Sequence, residues 1–374
     1  MRPIHRSSRP IILMILTALL AGLVLIGWSQ PATADSLISR LPPGNAVTDG
    51  GALLRYALPI ENKPVRRLQE ALEGISETLR VQGSRRVSSI NRNIKTANRV
   101  LARPEKILTS IPADHTAEAE ALLSSIGDGL NTLQAAVDAE DKEAVWIERG
   151  KLLGQVGDLE ELMIEEFPFE IPAEYSDLPQ LKGRATIEMT FRDKGTVRLV
   201  VDGYNAPITA GNFVDLVQRG FYDGLPVTRA EKFYVVQLGD PPGPEDGFID
   251  PKTDEYRTIP LEVMIDGDSE PLYGITMEDA GRYLDDPVLP FSAYGAVAMA
   301  RPGDDPNGGS SQFFFFLFEP ELTPAGLNLL DGRYAVFGYV TENKGVLDNL
   351  DVGDRVESAQ VVKGLDNLVE PQAA

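Results

Sequence analysis

The chain has 374 residues, a formal net charge of −21 and 43% hydrophobic residues, a composition typical of a folded protein with room for two ordinary domains. The chain has no cysteine, which excludes disulfides, thiolate catalysis and Cys-based zinc sites. It has only two histidines, which nearly excludes histidine acid–base chemistry and multi-histidine metal sites. Nucleic acid is a poor partner for so acidic a chain, because its phosphates are also negative.

Residues 1–34 have the pattern of an export signal. A basic start with three arginines precedes the apolar run Ile11–Trp28, and the small residues Ala32 to Ala34 fit a cleavage site before Asp35. An uncleaved membrane anchor is the alternative, because an apolar run of this length can just span a bilayer. Cleavage would leave 32 basic against 56 acidic residues, a net charge of −24.

Residues 35–59 are rich in proline and glycine, lack a strong period, and are predicted to form a linker. Residues 60–167 carry apolar side chains at the three- and four-residue steps of amphipathic helices. Four antiparallel helices can bury these stripes as a bundle, with an intermolecular coiled coil as the alternative. The stripes are Leu68, Leu72, Ile75 and Leu79; Val87, Ile90, Ile94, Ala97 and Leu101; Leu122, Ile126, Leu130, Leu133 and Val137; and Val145, Leu152, Val156, Leu159 and Met163.

Charge divides this helical region sharply. Residues 61–110 hold eleven Lys/Arg against five Glu, whereas residues 158–177 hold eight acids and no base. A basic face in an acidic chain suggests a partner, which could be the protein's own acidic part, an anionic membrane surface or another acidic protein. A merely solvated face is the alternative.

After an acidic, proline-rich linker at residues 168–182, short alternating runs of β-type residues are separated by turns. With helices near Thr209–Gln218 and Gly345–Asn349, this pattern predicts a closed β-barrel capped by two helices. Phe313–Phe316 is then a barrel strand rather than a membrane patch. The predicted strands are Ala185–Phe191, Thr196–Val201, Tyr234–Leu238, Gly295–Ala300, Phe313–Phe318, Tyr334–Val340 and Arg355–Val362.

Five motifs occur in order within this region. They are APITAGNFVDLVQRGFYDG (206–224), FYVVQLGD (233–240), GAVAMAR (295–301), NGGSSQFFFF (307–316) and LDGRYAVFGYVTENKGVLDNL (330–350). Together they resemble the cyclophilins, eight-stranded barrels that catalyse prolyl cis/trans isomerisation. The predicted fold is therefore a multidomain one, a helical bundle followed by a cyclophilin-like barrel at residues 183–365 and a tail at 366–374.

A helical region joined to such a barrel resembles the large thylakoid-lumen cyclophilins of cyanobacteria and plants, which assist photosystem II assembly and have been linked to a membrane phosphatase. The resemblance implies the thylakoid lumen, with the periplasm as the alternative. It implies proline-containing polypeptide clients, among them lumenal segments of photosystem II proteins or another thylakoid membrane protein. It implies no cofactor.

Prolyl isomerisation breaks no bond, so it needs neither a nucleophile nor a metal. An apolar pocket holds the proline ring while a donor to the prolyl nitrogen weakens amide resonance. The resemblance places the catalytic arginine at Arg229, the carbonyl-holding glutamine at Gln237, a second glutamine at Gln312 and the pocket phenylalanine at Phe314.

Several positions depart from the cyclophilin pattern. They alter the apolar cup around the proline, so isomerase activity is expected to be weak or absent while peptide binding persists as a scaffold function. Leu329 replaces the tryptophan that governs cyclosporin binding in the family, so weak binding of that drug is expected. The departures in the pocket are Tyr234 for Phe, Val235 for Met, Ala300-Arg301 for Ala-Asn, Leu329 for Trp and Tyr334 for His.

The stretch Pro241–Tyr294 is longer than in compact cyclophilins. With Asp240 it holds fourteen acids against three basic residues. The acids at Asp266–Glu270 lack the ligand spacing of an EF-hand, so no metal site is predicted. The charge asymmetry instead suggests that this insertion and residues 158–177 lie near the basic helices at Lys63–Lys106. Such a helical-domain contact with the barrel would cover the proline groove and inhibit the protein.

Overall fold

The computed structural model describes residues 47–80, 84–251, 253–318 and 328–371, all within one compact unit. The predicted export signal at 1–34 lies outside these residues. Across the described ranges, no helix combines the length and the apolar character needed to cross a bilayer.

Four long helices follow the four predicted apolar stripes. Their stripes meet in one helical core in which Leu68, Ile94, Leu130 and Leu152 are almost fully buried. The chain order thus confirms the predicted N-terminal helical domain. The helices are α1 (Gly50–Tyr56), α2 (Lys63–Arg80), α3 (Ser84–Leu101), α4 (Glu105–Leu108), α5 (Thr116–Asp138), α6 (Lys142–Glu161) and α7 (Pro207–Gln218).

Helix α1 lies within the segment that we expected to be a linker. Asp49 caps it by accepting a hydrogen bond from the N–H of Ala52 at 2.8 Å. Leu53, Leu54 and Ala57 are buried against the sheet described below. Seven residues are too few to show a helical period, and a helix this short depends on tertiary packing rather than on its own propensity.

An eight-stranded antiparallel sheet follows, in the order β13-β2-β3-β12-β10-β11-β5-β4. The sheet curls until its end strands meet, where Val227 N–H donates to Asp354 O at 2.7 Å beside a bridge between Pro226 and Arg355. This is the fold predicted from the resemblance. The strands are β1 (Gln180–Leu181), β2 (Arg184–Phe191), β3 (Gly195–Asp202), β4 (Val227–Glu231), β5 (Val235–Leu238), β6 (Ile249–Asp250), β7 (Glu255–Tyr256), β8 (Glu262–Val263), β9 (Leu272–Tyr273), β10 (Ala296–Met299), β11 (Phe313–Phe316), β12 (Val336–Glu342), β13 (Val356–Lys363) and β14 (Leu368–Val369).

The four consecutive phenylalanines of β11 alternate between two hydrophobic layers. Phe313 and Phe315 enter the inner core of the curled sheet, where the ring of Phe313 meets that of Phe213 from α7 edge-on at 5.0 Å. Phe314 and Phe316 face outward into a second cluster, here called the outer layer. Both faces are buried, which is why the run contains no polar residue.

Two details differ from the sequence expectations. The second capping helix is a 3₁₀ helix at Lys344–Asn349, and the acidic insertion contains the two-stranded pairs β6–β7 and β8–β9. Strands of two residues are too short to give an alternating pattern.

The ion pairs of the acidic insertion differ from the predicted contact between the insertion and the basic helices. Among the described residues its ion pairs are local, for example Asp268 and Asp285 with Arg282, and none reaches the basic helices. Arginines inside and beside the insertion pair with Asp250, Asp268, Glu278 and Asp285. The second acidic segment does reach the basic helices, because Glu160 contacts Arg66 at 3.2 Å, while its Asp158 pairs with Lys363 of the sheet.

A buried group of charges joins the helical domain to the sheet, and we call it the joint. Arg184 of β2 contacts Asp202 at 2.7 Å and Glu161 of α6 at 3.4 Å, and it donates to the carbonyl of Leu54 in α1. Glu160 of α6, with no exposed side-chain area, accepts from Arg66 of α2 at 3.2 Å. The joint fixes α1 between the two domains.

Candidate active site

Strand register places the predicted site residues side by side on the outer face of the sheet. Arg229 of β4 pairs with Gln237 of β5, Gln237 pairs with Phe314 of β11, and Phe314 pairs with Ala298 of β10. Directly paired side chains on one face lie about 5 Å apart at their Cβ atoms. This cross-strand row is the centre of the candidate site.

The two glutamines form a short hydrogen-bonded chain. Gln237 Nε2 donates to Gln312 Oε1 at 2.8 Å, and Gln312 Nε2 donates to the carbonyl of Asp246 at 2.8 Å. Both side chains are half-buried. The carbonyl of Asp246, a residue of the insertion, thereby fixes the orientation of both amides.

Arg229 is exposed beside this chain. Its Nε lies 2.8 Å from Glu231 Oε1, and its guanidinium lies 5.6 Å from the ring centre of Tyr234. Glu231 is two residues further along β4 and therefore on the same face. An ion pair between exposed side chains contributes at most about 1 kcal/mol, so a bound peptide can displace Glu231 readily.

Phe314 forms an apolar wall that is only 6% exposed. Its ring is parallel to that of Phe291, with centroids 5.9 Å apart, and meets Tyr334 edge-on at 5.5 Å. Phe291 belongs to the acidic insertion. Insertion and barrel are therefore in direct contact at the pocket, although through aromatic packing rather than charge.

Asp331 holds Phe291 in this position. Its Oδ1 accepts a hydrogen bond from the Phe291 N–H at 2.8 Å. Burial raises the pKa of Asp331 to about 6, although that hydrogen bond favours the charged carboxylate.

Arg301 and Tyr334 form the far side of the site. The Arg301 guanidinium lies 5.3 Å from the ring centre of Tyr334, and its Nη2 donates to the carbonyl of Arg333 at 2.7 Å. The Ala300 N–H donates to the carbonyl of Gln312 at 2.9 Å, which ties this side to the glutamines.

Two other residues predicted to bind substrate, Val235 and Leu329, differ in their exposure. Val235 is buried in the outer layer, whereas Leu329 is 87% exposed and lies outside it. Sequence reasoning missed Glu231, which the two-residue period of β4 could have indicated. It also missed Phe291 and the carbonyl of Asp246, for which the sequence offers no signal because both lie in the irregular insertion.

The arrangement offers both polar and apolar contacts to a peptide. Arg229 and the two glutamines supply donors along one edge, and Phe314 and Tyr334 supply an apolar surface beside them. No group of three or more acidic or histidine side chains that could hold a metal ion occurs in the part of the chain that the structure describes.

Comparison with known proteins identifies the class. The cyclophilin-type peptidyl-prolyl cis-trans isomerase family matches residues 186–368, and the PsbQ-like domain of CYP38-like peptidyl-prolyl cis-trans isomerases matches residues 49–164. The chain therefore belongs to the cyclophilin-type peptidyl-prolyl cis-trans isomerases, in the group that carries a PsbQ-like helical domain.

Similar proteins match along nearly the whole chain. A putative thylakoid lumen peptidyl-prolyl cis-trans isomerase from Synechocystis sp. is 56% identical over 357 residues, covering 95% of this chain and 93% of that one. The chloroplastic isomerase CYP38 of Arabidopsis thaliana is 45% identical, covering 92% and 80%. The chloroplastic CYP37 of the same plant is 34% identical, covering 86% and 71%.

Proposed function

We propose that this protein is an exported folding isomerase of the thylakoid lumen, with Arg229, Gln237 and Gln312 as its catalytic residues. The cross-strand row of Arg229, Gln237 and Phe314 carries the proposal, because it sets a cation, an amide and an apolar wall side by side. The names of the relatives in Synechocystis and Arabidopsis support the lumen. In this view residues 1–34 are a signal that is removed on export.

The chemistry follows from the amide bond. Rotation about an X–Pro bond crosses a barrier of about 18–20 kcal/mol because resonance gives the C–N bond double-bond character. A proline ring packed on Phe314 brings its nitrogen towards Arg229. A hydrogen bond from the guanidinium to that nitrogen competes with resonance, and Gln237 holds the flanking carbonyl as it turns.

Two features of the site limit the activity that we propose. The ring of Phe291 covers one face of Phe314, and Glu231 occupies the guanidinium of Arg229. A peptide must displace both before its proline reaches the pocket. Val235 and Tyr334 also replace residues of the apolar pocket that surrounds the proline in other cyclophilins, so we expect slow turnover.

The second candidate function is a peptide-binding scaffold without useful catalysis. The contact between Phe291 and Phe314 favours it, because a covered pocket can bind the chain around a proline without closing on the ring. In either function we propose proline-containing clients. Lumenal segments of photosystem II proteins or another thylakoid membrane protein are the candidates, with the helical domain as a platform during photosystem II assembly.

A protease-coupled isomerisation assay on the chain from Asp35 tests the proposal. Arg229→Ala should lower kcat/KM by about 100-fold, the usual effect of losing one transition-state donor. Arg198→Ala is the matched control, because Arg198 is also a partly exposed, ion-paired arginine of the sheet but lies on β3. Its activity should equal that of the parent.

Phe291→Ala separates the two candidate functions. If Phe291 limits access, this variant should turn over faster than the parent while Arg229→Ala remains slow. Binding of a proline peptide without turnover in the parent and in Phe291→Ala would reject the isomerase and leave the scaffold.

A further inference from the structure

Helices α2 and α3 enclose a hollow of about 350 Å3 on the helical domain. It is separate from the cross-strand row, and we call it the arginine hollow. Its lining consists of Arg67 from α2 and Thr96, Arg99, Val100, Ala102 and Arg103 from α3 and the residues that follow it.

The three arginines of the hollow are exposed and unpaired. Within the described ranges, the guanidinium groups of Arg67, Arg99 and Arg103 take part in no ion pair or hydrogen bond. The neighbouring Arg66 differs completely, since it is half-buried and donates to Gln69, to Glu160 and to two backbone carbonyls. The domain therefore satisfies its structural arginines and leaves these three available.

Helix electrostatics do not explain this grouping. Arg99 lies in the last turn of α3, where a cation is favourable, but Arg67 is the fifth residue of α2 and gains nothing from the helix dipole. Arg99 and Arg103 are one turn apart and repel each other. Three like charges around a concave surface are stabilised when an anion lies between them.

We propose that the arginine hollow binds an acidic segment of a partner protein, with carboxylate side chains inserted between the three guanidinium groups. The planar fork of arginine matches a carboxylate through two parallel hydrogen bonds. Val100 and Ala102 add an aliphatic surface on which the methylene groups of a glutamate can pack.

An acidic protein fits the hollow better than an anionic membrane. None of the large exposed hydrophobic side chains among the described residues lies on α2 or α3, so this face lacks the apolar anchors of a membrane-surface helix. The chain's net charge of −21 also opposes adsorption to an extended anionic surface. Four acids of the protein's own insertion, Asp250, Asp268, Glu278 and Asp285, are already paired with other arginines.

Fluorescence anisotropy with the full chain and a labelled hexaglutamate peptide tests this site, with hexaglutamine as the uncharged probe. Arg99→Gln/Arg103→Gln should raise the Kd for hexaglutamate at least about tenfold. Lys142→Gln/Lys151→Gln removes two positive charges from α6, outside the hollow, and should change the Kd less than about twofold. Thermal unfolding of both variants should match the parent, because all four side chains are exposed.

Three outcomes would overturn the proposal. Equal weakening by the two double variants would mean general charge attraction. Unchanged affinity in Arg99→Lys/Arg103→Lys, for which we expect a loss of about threefold, would remove the role of the guanidinium fork. Binding to phosphatidylglycerol vesicles but not to hexaglutamate would identify a membrane surface. The isomerase assay is independent of all three results, because the hollow shares no residue with the cross-strand row.

Discussion

The inner core of the sheet and the joint are both buried, but the inner core consists of apolar side chains and the joint of ionisable ones. The inner core is made of aliphatic and aromatic side chains such as Phe313, Phe315 and Phe213. The joint holds Arg184, Asp202 and Glu160 out of solvent. A hydrophobic core tolerates many apolar substitutions that keep its total volume, whereas a buried charge that loses its partner is strongly destabilising. We therefore expect the joint to specify where the helical domain docks on the sheet.

The backbone of α1 shows how this works. Carbonyls at its C-terminal end accept hydrogen bonds from side chains of both domains. The carbonyl of Arg55 accepts from Arg66 of α2 at 2.7 Å, and the carbonyl of the C-cap Ala57 accepts from Asn205, in the turn between β3 and α7, at 3.1 Å. Cationic donors also favour the negative end of a helix. Loss of either donor would remove a hydrogen bond from this helix end, although the carbonyl of Arg55 would keep its bond from the Leu58 N–H at 3.2 Å.

The largest expected effect is in the inner core. Phe313→Ala should lower the free energy of unfolding by about 4 kcal/mol, because it removes a fully buried ring and leaves a cavity among Phe213, Tyr222 and Phe315. Urea denaturation measures it. Val352→Ala, at a 65% exposed position, is the control and should change stability by less than about 0.5 kcal/mol. A small effect of Phe313→Ala would mean that the inner core is loosely packed.

Removing one charge of the joint should lower the free energy of unfolding. Arg184→Met leaves the carboxylate of Asp202 buried without its cation and should cost about 3 kcal/mol. Arg184→Met/Asp202→Asn should recover at least about 1 kcal/mol, because the amide is neutral and still accepts from the Tyr204 N–H. If the double variant were no more stable than the single one, unmatched charge would not be the cause of the loss.

The smallest effect is a dependence on pH. Burial raises the pKa of Glu160 to about 7 despite the attraction of Arg66, and Glu160 Oε2 has no hydrogen-bond partner among the described residues. The folded state therefore binds this proton more tightly than the unfolded state, whose pKa is near 4.5. The contribution of Glu160 to stability is full below pH 4.5 and falls through the interval up to pH 7.

Glu160→Gln should remove this slope. Relative to the variant, the parent should lose on the order of 1 kcal/mol per pH unit between pH 5 and pH 7. Urea denaturation at several pH values measures the difference, and the exposed Glu120→Gln should retain the parental slope. Parallel curves for the parent and Glu160→Gln would show that Glu160 is already charged in the folded protein at pH 5.

The elements that the sequence predicted well are those with a long period. Each repeat extends over at least eight residues in helices α2, α3, α5 and α6 and in strands β2 and β3. The spacing of apolar residues in the sequence therefore predicts which face of each element is buried. The family motifs then supplied the eight-stranded barrel and its site residues, which periodicity alone does not contain.

The rest depended on contacts between distant segments. Nothing near Phe291 in the chain indicates that it packs on Phe314, and nothing near Arg184 indicates Leu54 as its partner. Composition suggested that charge would join the acidic insertion to the basic helices. The structure instead joins the domains through the buried ionisable residues Arg184, Asp202 and Glu160. Nothing in the sequence distinguishes these three from the many other ionisable residues of an acidic chain.

The position of α1 indicates when this helix docks during folding. Gly50 lies against Tyr339 of β12, so closely that a Cβ atom there would be 2.7 Å from the tyrosine Cβ, and the carbonyl of Val47 accepts from Ser292 Oγ across 245 residues. During synthesis the first of these segments emerges long before its partners exist. Seven residues do not hold a helix alone, and closing so long a loop costs entropy. We therefore expect α1 to settle last, after the sheet has formed, so that its arrival marks the completed fold.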